Sequence, residues 1–193
     1  MARFEIRIIG TAGQGSITAA IILAKAAVED GKYATQTALY GAAMRTGVSI
    51  GDCIIDNEEI DFPKVINADA IIIQSQEAYD KIKLPSLTGN KDILANVKEG
   101  AYVILDKDLV KHNLDTSKYK VIEVPMAKVA AEIVGKRQVM NVVALAALQE
   151  ITKMLSKEAL EKAVVSSVPE RFIELNKKAL EEGYKMAKQA LAL

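Results

Sequence analysis

A glycine-rich turn near the start of the chain limits its fold more than any other feature. The turn, Gly10-Thr11-Ala12-Gly13-Gln14-Gly15-Ser16, follows an apolar run at residues 4–9 and precedes a helical pattern. This order predicts a strand, a tight turn, and a helix whose N-terminus points into the turn. The first N–H groups of a helix lack internal partners, and glycines let a ligand phosphate approach them closely. The turn is therefore either an anion site or a connection that needs glycine only for its backbone angles and close packing.

The spacing of these glycines differs from that of two common phosphate-binding motifs. It reads G-x-x-G-x-G, whereas the dinucleotide fingerprint is G-x-G-x-x-G, and no Lys-Ser or Lys-Thr follows as in a P-loop. A nicotinamide-dependent reductase also needs an acidic ribose-binding residue after the second strand, and residues 34–37 contain no carboxylate. A stand-alone nucleotide-binding protein is thus a disfavoured alternative.

Composition narrows the classes of function. Half of the 193 residues are apolar, which predicts a single domain over residues 1–193, with a helical C-terminal extension at 156–193. The formal net charge is zero and Trp is absent, which argues against a nucleic-acid partner. No long apolar segment precedes the first strand, and no apolar stretch approaches the ~20 residues that span a membrane. We expect a cytoplasmic protein without a membrane partner.

The scarcity of cysteine and histidine limits the chemistry of the chain. Cys53 and His112 are the only residues of their types, so a four-thiolate iron–sulfur cluster or a Cys/His zinc site cannot form from this chain alone. We expect Cys53 to be buried on a strand and His112 to be solvated. No metal ligand and no catalytic residue is assigned, because no nucleophile–base pair is recognisable.

The remaining pattern predicts an α/β fold: a Rossmann-like, mostly parallel sheet flanked by helices, with a β-hairpin insertion and a helical C-terminal segment. The hairpin is expected to join residues 48–55, through a turn at 56–58, to Ile60 and Phe62. Further strands are predicted at 33–37, 70–73, 102–105 and 119–124. Helices are predicted at 16–30, from 76, around Ile93, Leu94 and Val97 with Gly100 as the stop, at 127–134, at 141–155, after a Ser156 cap, and after Pro169.

A second candidate segment is the loop after the second strand. It contains Tyr40, Gly41, Arg45, Thr46 and Gly47. Arg is suited to planar hydrogen bonding of a carboxylate or phosphate. The loop is therefore either a ligand or partner loop beside the glycine turn or a surface connector with a solvated arginine, and we favour the former.

Several motifs together resemble the gamma subunit of the 2-oxoacid:ferredoxin oxidoreductases, over roughly residues 4–155. The first is the glycine motif itself, preceded by Ile8-Ile9. The others are Ala24-Lys25-Ala26-Ala27, Asp30-Gly31-Lys32-Tyr33, Gln36-Thr37, Tyr40-Gly41, Arg45-x-Gly47, the stretches 56–64 and 74–79, and Asn141 at the start of a long apolar helix. The chain departs from the family pattern at Ala12, which is usually glycine, and at Thr46, which is usually glycine or arginine.

The resemblance implies one subunit of an enzyme that decarboxylates a 2-oxoacid, forms acyl-coenzyme A and reduces ferredoxin. It implies alpha and beta thiamine-binding subunits and a ferredoxin-like delta subunit or domain as partners, which would carry thiamine diphosphate, Mg and iron–sulfur clusters. The motifs look closer to 2-oxoglutarate enzymes than to pyruvate enzymes. Contacts to coenzyme A phosphates or to partner chains would then come from Gly10, Thr11, Ala12, Gly13, Gln14, Gly15 and Ser16, and from Tyr40, Gly41, Arg45, Thr46 and Gly47. The alternative is a purely structural assembly subunit of the same complex.

Overall fold

The architecture is a mixed six-stranded sheet with helices on both faces. A computed structural model describes residues 3–39, 47–82 and 96–192. The strand order is β2-β3-β1-β4-β5-β6. The strands are β1 (Phe4–Thr11), β2 (Tyr33–Leu39), β3 (Val48–Asp56), β4 (Ala68–Ile73), β5 (Val97–Asp106) and β6 (Lys120–Val124).

The direction of the strands confirms the predicted α/β class. β1, β4, β5 and β6 are successive parallel neighbours, while β3 lies antiparallel between β1 and β2. Parallel neighbours place their carboxyl ends at one edge of the sheet. The glycine turn after β1 and the residues after β4 therefore lie side by side.

The predicted β-hairpin is wrong, because residues 57–67 form no strand. β3 is already paired on both sides, so it offers no free edge to Ile60 and Phe62. The backbone of this segment is held by side chains instead. The Arg3 guanidinium donates to the Phe62 carbonyl at 3.0 Å, and the Glu5 carboxylate accepts from the N–H groups of Ile66 at 2.6 Å and of Asn67 at 3.0 Å.

The helices divide unequally between the two faces. α1 (Ser16–Glu29) confirms the predicted first helix, and α4 (Met140–Thr152), α5 (Lys157–Val165) and α6 (Ile173–Leu191) pack with it on one face. α2 (Gln76–Ile82) covers part of the other face. The helix predicted at 127–134 is α3 (Met126–Lys128) followed by a wide π-type turn (Val129–Val134). No helix in the described ranges combines the length and apolar character needed to cross a bilayer.

The helix expected to end at Gly100 is also a wrong prediction. Val97 begins β5, and Gly100 lies within that strand with a φ of +78°, donating its N–H to the Lys118 carbonyl at 2.7 Å. The left-handed backbone of Gly100 therefore accommodates an irregularity in strand pairing and does not end a helix. Ile93 and Leu94 lie outside the described residues.

The helices predicted after Ser156 and after Pro169 are both present in the C-terminal half. Ser156 caps α5, its Oγ accepting from the Ala159 N–H at 3.1 Å. A short 3-10 turn (Glu170–Phe172) separates Pro169 from α6. The buried positions of α6 are Asn176, Ala179, Leu180, Gly183 and Ala187.

The structure confirms the prediction made for the single cysteine and contradicts the prediction made for the single histidine. Cys53 is buried on β3, as predicted, with 1% of its surface exposed. His112 was expected to be solvated, but its side chain is only 17% exposed and its Nε2 lies 3.4 Å from Oε1 of Glu123. The imidazole is thus held against β6.

Candidate functional site

The glycine turn joins β1 to α1 through two residues with left-handed backbone. Gly13 has a φ of +92° and Gly15, the N-cap of α1, a φ of +78°. A side chain at Gly15 would come within 2.8 Å of Nδ2 of Asn141, whereas one at Gly13 would meet nothing within 4 Å. Gly15 is therefore needed for packing, while Gly13 leaves an open approach to the turn.

Gln14 braces the turn from inside. Its Oε1 accepts from the Thr11 N–H at 2.7 Å and the Thr11 hydroxyl at 3.1 Å, and its Nε2 donates to the Gln74 carbonyl at 3.1 Å. The side-chain amide of Gln14 is thus used by the protein itself. This fixes the conformation in which Gly13 faces outwards.

A buried polar cluster beneath the turn connects the ends of β1 and β4. The Ser16 hydroxyl donates to Oε1 of Gln74 at 2.9 Å, and the Ser75 hydroxyl lies 3.0 Å from the Thr11 hydroxyl oxygen, to which it donates because the Thr11 proton is directed to Gln14. Gln74 is completely buried, yet its Nε2 has no hydrogen-bond partner. A buried N–H donor without a hydrogen-bond partner destabilises the folded state, so its presence needs an explanation. Folding of the sheet alone therefore does not explain why these polar side chains are buried beside the glycine turn.

The end of the loop after β2 returns to this turn. The Ala12 N–H donates to the Gly47 carbonyl at 2.6 Å, so the departure at Ala12 still allows the turn to close against the loop. Oε1 of Glu77, in the first turn of α2, would lie 3.3 Å from a side chain at Gly47. Of the predicted loop residues, Tyr40, Gly41, Arg45 and Thr46 lie outside the described residues.

Sequence reasoning did not find the opposite wall of the site, which is formed by the residues that lead into α4. A cavity of about 350 Å³ lies between Thr11–Gln14 and Arg137, Gln138 and Met140. A second cavity, of about 490 Å³, shares Gly13 and Gln138 with the first. Polar groups of Thr18, Lys136 and Asn141 line one part of it, and apolar residues of α1, α4 and the chain before α6 line the rest. The basic pair Lys136-Arg137 just before an apolar helix was the signal available in the sequence.

The electrostatics of these cavities favour an anion. α1 begins there without a side-chain cap or an acidic residue in its first turn. α4 instead continues a 3-10 turn (Arg137–Val139), from which the Met140 N–H already donates to the Arg137 carbonyl. The free N–H groups of α1 and the dipoles of both helices supply partial positive charge. Nζ of Lys136 lies 4.1 Å from the centre of the Phe172 ring. The Arg137 side chain is exposed and forms no ion pair with any residue that the structure describes. The site can therefore hold a phosphate beside an apolar group.

Acid–base or metal chemistry has little support in the described residues. No three His, Cys, Asp or Glu side chains there cluster so as to hold a metal ion. The last residue of β5, Asp106, has a buried carboxylate. It accepts from the N–H groups of Ala127 at 2.7 Å and of Leu109 at 3.0 Å. Burial raises the pKa of Asp106, and these backbone donors oppose that rise. This carboxylate is occupied in joining β5 to α3.

Comparison with known proteins agrees with this fold. Residues 5–186 match the family described as pyruvate ferredoxin/flavodoxin oxidoreductase, and the chain belongs to that family. It is 41% identical to the 2-oxoglutarate synthase subunit KorC of Methanocaldococcus jannaschii, over 97% of this chain and 95% of that one. The pyruvate synthase subunit PorC of the same organism is 30% identical over 93% of this chain and 94% of its own length.

A solved structure extends the agreement to three dimensions. The crystal structure of a keto/oxoacid ferredoxin oxidoreductase gamma subunit from Geobacter sulfurreducens superposes with a TM-score of 0.84 at 39% identity, covering 98% of this chain and 99% of that chain. The homologues are gamma-type subunits of 2-oxoacid oxidoreductases, and the resemblance drawn from the motifs is confirmed.

Proposed function

We propose that this chain is the gamma subunit of a 2-oxoglutarate:ferredoxin oxidoreductase and that its glycine turn holds the phosphates of coenzyme A. The observation that supports the second part is the convergence of the uncapped N-terminus of α1, the dipole of α4, the open side of Gly13, and Arg137, which forms no ion pair with the residues that the structure describes. The described part of the loop, Gly47, contacts the turn and supports a contribution from Arg45. Apolar side chains in the second cavity would contact the uncharged part of the same ligand.

The redox and carbanion chemistry of the enzyme is proposed to lie on partner chains. This chain has one cysteine, which is buried, so it cannot supply the thiolates of a cluster. Thiamine diphosphate with Mg and the iron–sulfur clusters are therefore assigned to alpha, beta and ferredoxin-like delta partners. The same complex would act in the cytoplasm. The role of this chain is to bind and orient coenzyme A and to hold the thiamine-binding subunits together.

The preference for 2-oxoglutarate is supported by the two relatives from one organism. The chain shares 41% identity with the 2-oxoglutarate synthase subunit and 30% with the pyruvate synthase subunit. The test is oxoacid-dependent reduction of a viologen dye by the purified complex under anaerobic conditions. Turnover with 2-oxoglutarate well above that with pyruvate is expected, and the reverse order would contradict the assignment.

Coenzyme A binding is tested in the assembled complex with Arg137→Gln. Loss of one exposed charge-assisted contact should raise the apparent KM for coenzyme A about tenfold, with little change in kcat. Lys188→Gln removes the same charge from the exposed surface of α6 and is the matched control, with no expected change. Unchanged KM values in both Arg137→Gln and Gly13→Ala would refute the coenzyme A site.

A purely structural role for the turn is the second candidate, and a specific observation favours it. Contacts within the chain explain why these positions are Gln14 and Gly15, because Gln14 hydrogen-bonds to the turn and Gly15 packs against Asn141. This reading predicts that Gly13→Ala and Arg137→Gln alter assembly or stability but leave the KM for coenzyme A unchanged. Subunit content after size-exclusion chromatography separates the two outcomes.

A further inference from the structure

The outer edge of the sheet at β2 has an unusual sequence. β2 pairs with β3 on one side only, and no strand of the described residues pairs with its other side. Exposed edges are usually protected by lysine, proline or a bulge, because their free N–H and C=O groups can pair with another chain. β2 has none of these protections: it reads Tyr33-Ala34-Thr35-Gln36-Thr37-Ala38-Leu39.

This sequence is symmetric about Gln36. When a strand pairs antiparallel with its own copy around Gln36, Thr35 of each copy lies opposite Thr37 of the other. Ala34 likewise lies opposite Ala38, and the end residues Tyr33 and Leu39 lie opposite each other twice. The central five residues are a palindrome, so this register pairs identical residues over those five positions.

The chemistry of the pairs favours such an arrangement. Tyr33 and Leu39 are 52% and 42% exposed, and pairing would bring each against an apolar side chain. Thr35 Oγ1 is buried without a hydrogen-bond partner, and a second threonine hydroxyl would lie opposite it. Since none of the seven residues is charged, no like charges meet across the two-fold axis.

We propose that β2 pairs antiparallel with β2 of a second copy of this chain, around a two-fold axis at Gln36, and forms one continuous twelve-stranded sheet. A seven-residue strand is about 24 Å long, and the contact covers less than the ~800 Å² per partner of a standard stable interface. The dimer is therefore concentration dependent, with dissociation in the micromolar to millimolar range.

The test is sedimentation equilibrium of the full chain over that concentration range, with two matched double variants. Tyr33→Lys with Leu39→Lys places two lysines opposite each other twice, and association should weaken about tenfold or more. Tyr33→Lys with Leu39→Glu places opposite charges at the same positions, and association should be retained. Both variants change only exposed side chains, and circular dichroism with thermal unfolding verifies that they fold.

A control outside the edge completes the design. Val28 on α1 is 64% exposed, so Val28→Lys removes an exposed apolar side chain without touching β2, and association should not change. A wild-type chain that remains monomeric at the highest concentration would overturn the proposal. So would equal association of the two double variants, or loss of association in Val28→Lys, because the copies would then meet elsewhere.

Discussion

Gly13 and Gly15 share a left-handed backbone but have different surroundings. Gly13 faces open space, whereas Gly15 is packed against the side-chain amide of Asn141. The same substitution at the two positions therefore separates backbone strain from steric overlap. At this scale the glycine turn combines a ligand-accessible position with a packing position two residues away.

Alanine at these two glycines should destabilise the fold to different extents. Gly13→Ala is expected to cost about 1 kcal/mol of unfolding free energy, from the left-handed backbone alone. Gly15→Ala should cost about 2–3 kcal/mol, because its Cβ also overlaps Asn141. Urea unfolding measures both values. Adding Asn141→Ala should recover part of the extra cost at Gly15, and equal losses for the two single variants would contradict this explanation.

At the scale of elements, the end of α1 is tied to the start of α5 by Asp30. Its carboxylate accepts from the Ser156 hydroxyl at 2.6 Å and from Nζ of Lys32 at 2.7 Å. Lys32 also donates to the Met154 carbonyl at 2.8 Å. Since Ser156 simultaneously caps α5, one carboxylate orders the junction between two helices of the same sheet face.

This junction should make stability depend on pH in the acid range. Burial alone would raise the pKa of Asp30, but hydrogen bonds from Lys32 and Ser156 outweigh it and lower the pKa below its ordinary value. A lowered pKa in the folded state adds stability above the unfolded pKa of about 3.9, and this stability is lost as pH falls through the folded pKa. Asp30→Asn should therefore be less stable than wild type at pH 6 and should lose less stability on acidification to pH 3. Urea midpoints at both pH values test this, and parallel pH profiles would argue against a role for Asp30.

The elements differ in how far sequence alone could predict them. The strand, turn and helix over residues 4–29 were predictable because glycine spacing and apolar periodicity are local signals. The hairpin prediction at Ile60 and Phe62 failed because distant Arg3 and Glu5 hold that segment. The wall at Lys136–Asn141 was missed for a similar reason: only the packing of α4 beside α1 brings it to Gly13.

At the scale of the whole molecule, the sheet separates two apolar cores. The larger lies under α1, α4, α5 and α6, and the smaller under α2 and the chain after β5. Cys53 belongs to the larger core, near the centre of β3. Burial, and then the negative charge of Asp52, raises the pKa of its thiol far above the ordinary value.

The single thiol should therefore report global unfolding. Cys53 is expected to react with Ellman's reagent in the folded chain roughly a thousandfold or more slowly than in the unfolded chain, because reaction requires the sheet to open. The rate should rise with urea in parallel with the loss of circular dichroism. Rapid reaction without denaturant would mean that the region around β3 opens locally.

The two walls of the cavity beside Gly13 come from segments far apart in the chain: one from the junction of β1 and α1, the other from the start of α4. An unfolded chain cannot present both walls together, so a ligand held there binds only the native state. By mass action, such a ligand at a hundredfold excess over its dissociation constant adds about 2.7 kcal/mol to the free energy of unfolding. Occupancy of the site should therefore raise the melting temperature. Thermal unfolding at increasing coenzyme A concentrations measures this binding without any catalytic turnover.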